Sequence, residues 1–406
     1  MKIVIFNTTY NLGSTGKITK NMRDYFLSVG HEVTVCYGRG KKVKDKNVFR
    51  ISSPFLSKLN HLIGRFFGLN DCLSPIEMVR VRRIVNGFKP DVIYLGNLHG
   101  YYLNVFGLYR YFKKKCIPSI QIMWDEYPMT GKCCYPFDCS NFFHLCHKCP
   151  HKKDYPESLF FDNSTFLFKK KSKAYDMPNL AFVGVSSTIK MAKMSALLKN
   201  KQTFELDEAV NQEELYYPRN NIKVYDFFGV SRDKIIILNV CVYPNSRKGG
   251  QYFIELARSC IDYTDFVFVH IGFNGDKKGL PSNFVPIGVV KDQDLMANCY
   301  SAADLFVCTS LADTQPNACL EALSCGTPIL GFDISGIPTC AEYPYGKYVE
   351  PRNIEQLKKE VLKIKKKTIV DIENISHYAQ TRFSSKQYNI NLEKIAIEML
   401  RKKDCR

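Results

Sequence analysis

Short apolar runs alternate along this chain with stretches whose apolar residues recur at helical spacing. Lys2–Asn7, Glu32–Gly38, Asp91–Asn97, Pro118–Trp124 and Leu180–Ser186 have strand length and are rich in Val, Ile and Leu. Helical patterns such as Gly16–Val29 and Asn104–Lys115 lie between them. Nearly continuous apolar strands separated by helices predict a parallel sheet covered on both faces. A second series follows, with strands predicted at Lys234–Cys241, Phe266–Gly272, Phe284–Val290, Leu305–Ser310 and Pro328–Phe332. Its helices are predicted at Gly249–Cys260, Asp292–Ala302, Pro316–Cys325 and Asn353–Lys367. The fold class predicted is α/β, with two Rossmann-like doubly wound parallel-sheet domains. The first spans residues 1–205 and the second 206–385, with a polar, charged linker near 199–221. Residues 386–406 carry a last helix, Tyr388–Lys403, that lacks a strand partner and is expected to dock on the first domain. Sheets of this kind bind ligands beyond the C-terminal ends of their strands, so a central cleft faced by both domains is expected.

The first strand runs into "NTTYNLGSTGKITKNM", from Asn7 to Met22. Gly16-Lys17 suggests a nucleoside-triphosphatase loop, but the spacing excludes one. That motif needs four residues between its glycines and Ser or Thr after the lysine, whereas Gly13 and Gly16 are separated by two and Ile18 follows Lys17. The three-glycine dinucleotide fingerprint does not fit either. A glycine turn feeding a helix start still leaves backbone N–H groups that attract anions. The alternative is a plain strand-to-helix turn with no ligand.

With 406 residues, 45% hydrophobic and 24% charged, the chain can build two cores. It has no run of eighteen apolar residues, so no membrane span is expected. No signal peptide is discernible, and a cytoplasmic protein is expected. The net charge of +18 admits nucleic acid, an anionic lipid surface or a polyphosphate as partner. Its basic runs, Arg39–Lys46, Arg80–Arg83, Lys113–Lys115 and Lys169–Lys173, are scattered and accompany no nucleic-acid motif. Most are expected to be solvated surface, with no specific nucleic-acid partner. Of the sixteen cysteines, Cys36, Cys241, Cys260, Cys299 and Cys308 lie singly in apolar stretches, as small buried hydrophobes do. Cys133, Cys134, Cys139, Cys146 and Cys149 cluster, which in a reducing compartment favours metal over disulfides.

The richest stretch runs from Thr309 to Pro328, "TSLADTQPNACLEALSCGTP". A strand ends at Ser310, Asp313 sits in the loop, and Pro316 suits a helix start. Glu321 follows one to two turns in, and Gly326 closes the helix. Asp313 is either a ligand-binding acid or a residue that complements the helix dipole. This stretch resembles the retaining glycosyltransferases of family four, which have the GT-B fold. Their signature is Glu, seven residues, then Glu-Ala and a Gly-Thr-Pro-like strand start; here Asp313, a shorter acid, stands at the first Glu, followed by Glu321-Ala322 and Gly326-Thr327-Pro328. The resemblance implies that Asp313 contacts the donor sugar. It makes the helix-start backbone over Thr314, Gln315, Pro316 and Asn317 a diphosphate cradle, through its amides, and Glu321 a ribose ligand.

The likeness extends over nearly the whole chain and is sharpest to the subgroup that builds bacterial exopolysaccharides and capsules. That subgroup has stretches similar to "NLGSTGKI", to "NLHGYYLN" (Asn97–Asn104) and to the segment Asp125–Pro156, "DEYPMTGKC" onward. "NVCVYPNSRKGGQ", Asn239–Gln251, resembles the family's basic phosphate site, with Lys248 neutralising the diphosphate and Arg247 assisting. A bond cleavage that leaves a nucleoside diphosphate needs such preorganised cations and no metal cofactor. Gly13, Ser14 and Gly16 would then contact donor phosphate or acceptor. Two departures stand out: an upstream arginine carried by many members is missing, and Trp124 replaces the usual histidine before Asp125. His99 is the nearest remaining imidazole, either structural or acceptor-facing. Asp125, an expected catalytic residue beside Asp313 and Lys248, would orient the acceptor hydroxyl or take its proton. Trp124 and Thr130 are expected on the acceptor side.

Cys133, Cys139, Cys146 and Cys149 are spaced by five, six and two residues. They either close a structural, tetrahedral zinc site bracing an insertion over residues 127–156 or are buried or redox thiols. "FLSKLNHLIGRFFGL", Phe55–Leu69, either lies on a membrane surface or packs in the first domain. The function expected is transfer of a sugar from a nucleotide diphosphate sugar to a lipid-linked oligosaccharide, peripherally on the inner face of the cell membrane. The rival is a catalytically impaired nucleotide-sugar-binding protein of the same fold.

Overall fold

The computed structural model describes residues 1–220 and 222–404. Asn221, at the end of the expected linker, and Cys405 and Arg406, past the last helix, lie outside the described residues. The chain divides into two compact units: Met1–Leu206 together with the residues from Lys386 on, and Asp207–Ser385.

The first unit holds seven strands: β1 (Lys2–Thr9), β2 (Glu32–Arg39), β3 (Val48–Arg50), β4 (Val92–Leu95), β5 (Ser119–Ile122), β6 (Leu180–Gly184) and β7 (Gln202–Glu205). They pair in the order β3-β2-β1-β4-β5-β6-β7, every pair parallel. The second unit holds β8 (Ile235–Tyr243), β9 (Phe266–Phe273), β10 (Phe284–Ile287), β11 (Leu305–Cys308), β12 (Ile329–Phe332) and β13 (Gly346–Val349). Their order, β10-β9-β8-β11-β12-β13, is again wholly parallel. Both are doubly wound sheets whose strand order reverses beside β1 and beside β8. Their ligand crevices therefore lie beyond the β1/β4 and β8/β11 ends.

The central strands are buried along their length, which is why they are rich in apolar residues; β5 alone among these carries buried Ser119 and Gln121. Three edge strands had no such signal. β3 has three residues, β7 is the polar, half-exposed QTFE inside the expected linker, and β13 is GKYV with an exposed lysine. The helix predicted over Asn353–Lys367 is shorter, Ile354–Val361. A further helix, Ile369–Phe383, starts at a capping box in which Thr368 and Asp371 satisfy each other's backbone amides.

The last helix, Ser385–Asp404, belongs with the first sheet from Lys386 on. Tyr94 Oη, from β4, donates to Leu392 O at 2.8 Å. Glu393 accepts from Tyr25 Oη at 3.1 Å and meets His31 Nε2 at 2.7 Å. Leu392 is fully buried. Leu392→Ala should therefore cost about 2–5 kcal/mol in urea unfolding monitored by circular dichroism.

Candidate active site

In the second unit the turn after β8, Asn245–Gly249, meets the turn after β11, Thr309–Asp313. Asn245 closes the first turn: its carbonyl accepts from the Lys248 and Gly249 amides, both at 3.1 Å. Gly249 has φ +65°, and a Cβ there would stand 2.0 Å from Thr309 O, so only glycine lets the two turns touch. Leu311 N–H donates to Arg247 O at 2.7 Å and joins them.

Asp313 is buried between the turns. Arg247 Nη1 donates to its Oδ1 at 3.0 Å and Lys248 Nζ to its Oδ2 at 2.8 Å. Arg247 also holds Ala312 O at 2.6 Å, while Ser335 Oγ and Gly336 N–H hold the Asp313 carbonyl. Burial would raise the Asp313 pKa, but Lys248 and Arg247 outweigh it and hold the carboxyl below its ordinary value. Two cations against one carboxylate leave the trio a net positive charge. Both cations remain partly exposed, with side-chain exposures of 24% and 28%, so an incoming anion can reach them.

Just beyond Asp313, Pro316 stands at the N-cap of the helix Asn317–Ser324 and, as a proline, makes no side-chain cap hydrogen bond. Glu321, four residues on, faces the same way as Asn317 and accepts from Tyr300 Oη at 2.8 Å. The structure thus brings Arg247, Lys248, Asp313 and the helix start together, with Glu321 one turn on. The cradle role expected of Gln315 is one for its backbone. Its side chain is buried, donating to Asp207 Oδ1 at 2.9 Å and Thr339 O at 3.1 Å and accepting from the Glu208 amide at 2.7 Å. Its side-chain amide is consumed inside the protein. Thr314 is buried as well.

In the first unit Gly13, at φ +67°, opens the helix Gly13–Ser28, with Ser14 exposed in its first turn. Gly16 lets the loop fold back, since a Cβ would lie 2.8 Å from Thr9 Oγ1. Asn7, which sequence reasoning missed, organises this loop from below. Its Nδ2 donates to Thr9 O at 3.0 Å, Thr15 O at 3.1 Å and Thr19 Oγ1 at 2.8 Å, and its Oδ1 accepts from Asn97 N–H at 3.1 Å. Thr8 Oγ1 donates to Asn97 O and His99 O. The β1 and β4 exits are thereby fixed to each other.

His99 Nε2 pairs with Asp125 Oδ2 at 2.8 Å; Cys134 Sγ lies 3.7 Å from the same nitrogen, and Tyr155 Oη lies 3.3 Å from Nδ1. Asp125 Oδ1 accepts from the Tyr127 amide at 3.0 Å. All of these except Tyr155 are buried. The pair lines a small cavity together with Asn97, Gln121 and Tyr127. Trp124 lies over Gly96, where a Cβ would meet the indole at 2.3 Å. Thr130, expected on the acceptor side, is fully buried and its hydroxyl donates to Cys133 O at 2.6 Å, bracing the turn.

The cysteine-rich segment is held by two buried lysines. Lys171 Nζ donates to Tyr127 O and Thr130 O and sits 3.3 Å from the Tyr127 ring centre. Burial lowers its ammonium to about 8. Lys132 Nζ donates to the carbonyls of His151, Lys152 and Asp154. Neither lysine was singled out by the sequence. Burial, then Cys149, pushes the Cys133 thiol to about 12; burial pushes Cys146 to about 11, although Gly131 N–H points at its Sγ at 3.1 Å. Among the described residues, His99, Asp125 and Cys134 form the group of three ligands whose atoms all lie within 4.8 Å of one another. Cys133, Cys139, Cys146 and Cys149 form no such group.

Comparison with known proteins bears on these sites. Residues 234–367, which contain Arg247, Lys248, Asp313 and Glu321, match the family model described as glycosyl transferases group 1. The Escherichia coli K12 protein provisionally named colanic acid biosynthesis glycosyl transferase WcaC is 21% identical over 370 residues, covering 88% of this chain and 89% of that protein. Sucrose-phosphate synthase from Thermosynechococcus elongatus superposes with a TM-score of 0.70 at 13% identity, over 98% of each chain. Anabaena Alr3699/HepE, solved in complex with UDP-glucose, gives a TM-score of 0.67 at 12% identity, over 98% of this chain and 100% of that one. The fold is of GT-B type, and the match to the group 1 glycosyl transferase model lies within the second unit.

The depressed Asp313 pKa sets a pH dependence. Asp313 contributes stability above its unfolded pKa of about 3.9, and that contribution is lost as pH falls towards the lower folded value. Wild type should be more stable than Asp313→Asn at neutral pH. The difference, followed by urea unfolding, should shrink as pH drops through the range below about 4.

Proposed function

We propose that this chain transfers a sugar from a nucleotide diphosphate sugar to a lipid-linked oligosaccharide in surface-polysaccharide synthesis, with retention of anomeric configuration. The carrying observation is the buried Asp313 carboxylate, gripped by Arg247 and Lys248 directly before the Asn317–Ser324 helix start. The names of two similar proteins support the substrate class: HepE was solved with UDP-glucose, and WcaC is named for colanic acid biosynthesis.

In this proposal the diphosphate competes with Asp313 for Lys248 and Arg247 and takes further hydrogen bonds from the helix-start amides. Asp313, released from the cations, accepts from donor-sugar hydroxyls, and Glu321 accepts from the ribose. As the bond from the sugar to the diphosphate breaks, negative charge grows on the departing phosphate, where cations and amides stabilise it. That phosphate is also the base for the acceptor hydroxyl proton. Asp125, oriented by His99, positions the acceptor in the first unit. The glycine turn at Gly13–Gly16 is proposed to contact donor phosphate or acceptor. The second reading, a nucleotide-sugar binder without turnover, draws on Trp124, whose indole fills the place before Asp125.

Lys248→Ala should lower kcat/KM by roughly 10²–10³. Glu321→Ala should weaken nucleoside diphosphate binding at least about tenfold with the circular dichroism spectrum unchanged. Product anomers followed by NMR should show retention; inversion overturns the mechanism, and donor binding without transfer to any acceptor supports the second reading.

For the insertion we propose a structural zinc on Cys133, Cys139, Cys146 and Cys149, which must draw together to reach Zn–S distances of about 2.3 Å. Gly131 N–H already points at Cys146 Sγ, as a donor to a thiolate would. Metal analysis of purified protein should find about one zinc per chain; a metal-free chain that folds stably overturns this assignment.

A further inference from the structure

The helix Pro54–Phe67 is built inside out. The residues it turns inward are small or polar: Ser57, Asn60 and Gly64, spaced three and four apart on one stripe. Ser57 Oγ donates to Ser52 Oγ at 2.9 Å and Asn60 Nδ2 to Ser74 Oγ at 2.7 Å. Gly64 lies against Tyr101, whose ring a Cβ would approach to 3.1 Å. The outward stripe is Phe55, Leu59, Leu62 and Phe66, spaced four, three and four. Phe55 is 73% exposed and Leu62 64%. An ordinary surface helix does the opposite.

A second element extends this stripe. Phe160 and Phe161 are 60% and 52% exposed. The Phe160 ring lies 4.5 Å from that of Phe66, and Phe161 stacks on Phe67 at 5.9 Å. Leu159 N–H donates to Arg65 O at 2.8 Å and Asn163 Nδ2 to Phe67 O at 2.7 Å, so helix and segment form one surface. Contiguous apolar surface of this extent marks an interaction site.

Charge selects the occupant. The helix carries Lys58 and Arg65 and no Asp or Glu. Lys152 Nζ reaches Phe160 O, and Lys170 sits over the Phe166 ring. Arg65 is balanced by Glu157 at 2.9 Å, and Asp162 accepts from the Cys149 and Ser164 amides, so Lys58, Lys152 and Lys170 are the cations that flank the stripe. A bilayer interface buries the Phe and Leu side chains while its anionic headgroups take those cations. Among the described residues no helix is long and apolar enough to cross a membrane, so the contact is one of lying on the surface.

We propose that the helix Pro54–Phe67 and the segment 159–161 dock this chain on an anionic lipid bilayer. Docking does not rest on the donor site, and vesicle binding can succeed or fail independently of sugar transfer. The test is co-sedimentation with phosphatidylcholine vesicles with and without phosphatidylglycerol. Wild type should sediment with the anionic vesicles, less so as salt is raised. Leu62→Glu with Phe66→Glu should weaken binding at least about tenfold. Phe160→Ser with Phe161→Ser, on a segment outside the helix, should weaken it also and decides the matter if the first pair fails to fold. Absence of binding to anionic vesicles, or unchanged binding in the folded variants, overturns the proposal. Concentration-dependent self-association abolished by the same substitutions would overturn it in favour of a second copy.

Discussion

A carboxylate taken out of water must meet a cation or a strong donor, and this requirement shapes both crevices of the molecule. Asp313 leaves β11 into a site where its charge is tolerable only because Arg247 and Lys248 arrive from the end of β8. Asp125 leaves β5 and meets His99 from the end of β4. Asp71, also buried, is met by the Tyr127 hydroxyl. In each sheet the compensating groups come from adjacent parallel strands, so strand order decides which charges can meet. The two turns of the second unit then touch so closely that Gly249 can carry no side chain.

The parts of the fold visible in the sequence were those with a simple physical period. Strands buried on both faces are rich in apolar residues, and β4 and β11 stood out for that reason. β7 and β13, at the sheet edges, mix lysine, glutamine and glutamate with apolar residues and gave no period. Arg247, Lys248, Asp313 and Glu321 were legible through the resemblance of their local stretches to a glycosyltransferase family. The bonds from Arg247 and Lys248 to Asp313 were not, since they join residues some sixty-five apart in sequence. Gln315 and Thr130 were assigned by position, and the structure spends their side chains on internal hydrogen bonds. Lys171 shows the limit most plainly. It lies in a basic run that looked like solvated surface, yet it is fully buried on backbone carbonyls. No local signal separates it from Lys169 and Lys170; only the turn it reaches, forty residues back, defines its place.

The cysteine-rich segment has an unusual internal economy of contacts. Its turn at Tyr127–Thr130 and its stretch at His151–Asp154 are tied down by ammonium groups bonding to carbonyl oxygens, with Tyr127 supplying a ring face. Such bonds are directional, so the segment can be ordered with little apolar core of its own. Lysine is suited to this task because its three donors serve several carbonyls from one compact point; the flat guanidinium of arginine would impose a different geometry.

Gly96 and Trp124 occupy one space. The indole rests where any side chain at position 96 would begin. A change at position 96 made first meets the ring, whereas a smaller residue at 124 vacates the room that position 96 can then fill. The two positions are therefore coupled in the order of their replacement. Replacing Trp124 by a smaller residue thus leaves a ring-sized hole at the exit of β4 until a side chain at position 96 closes it.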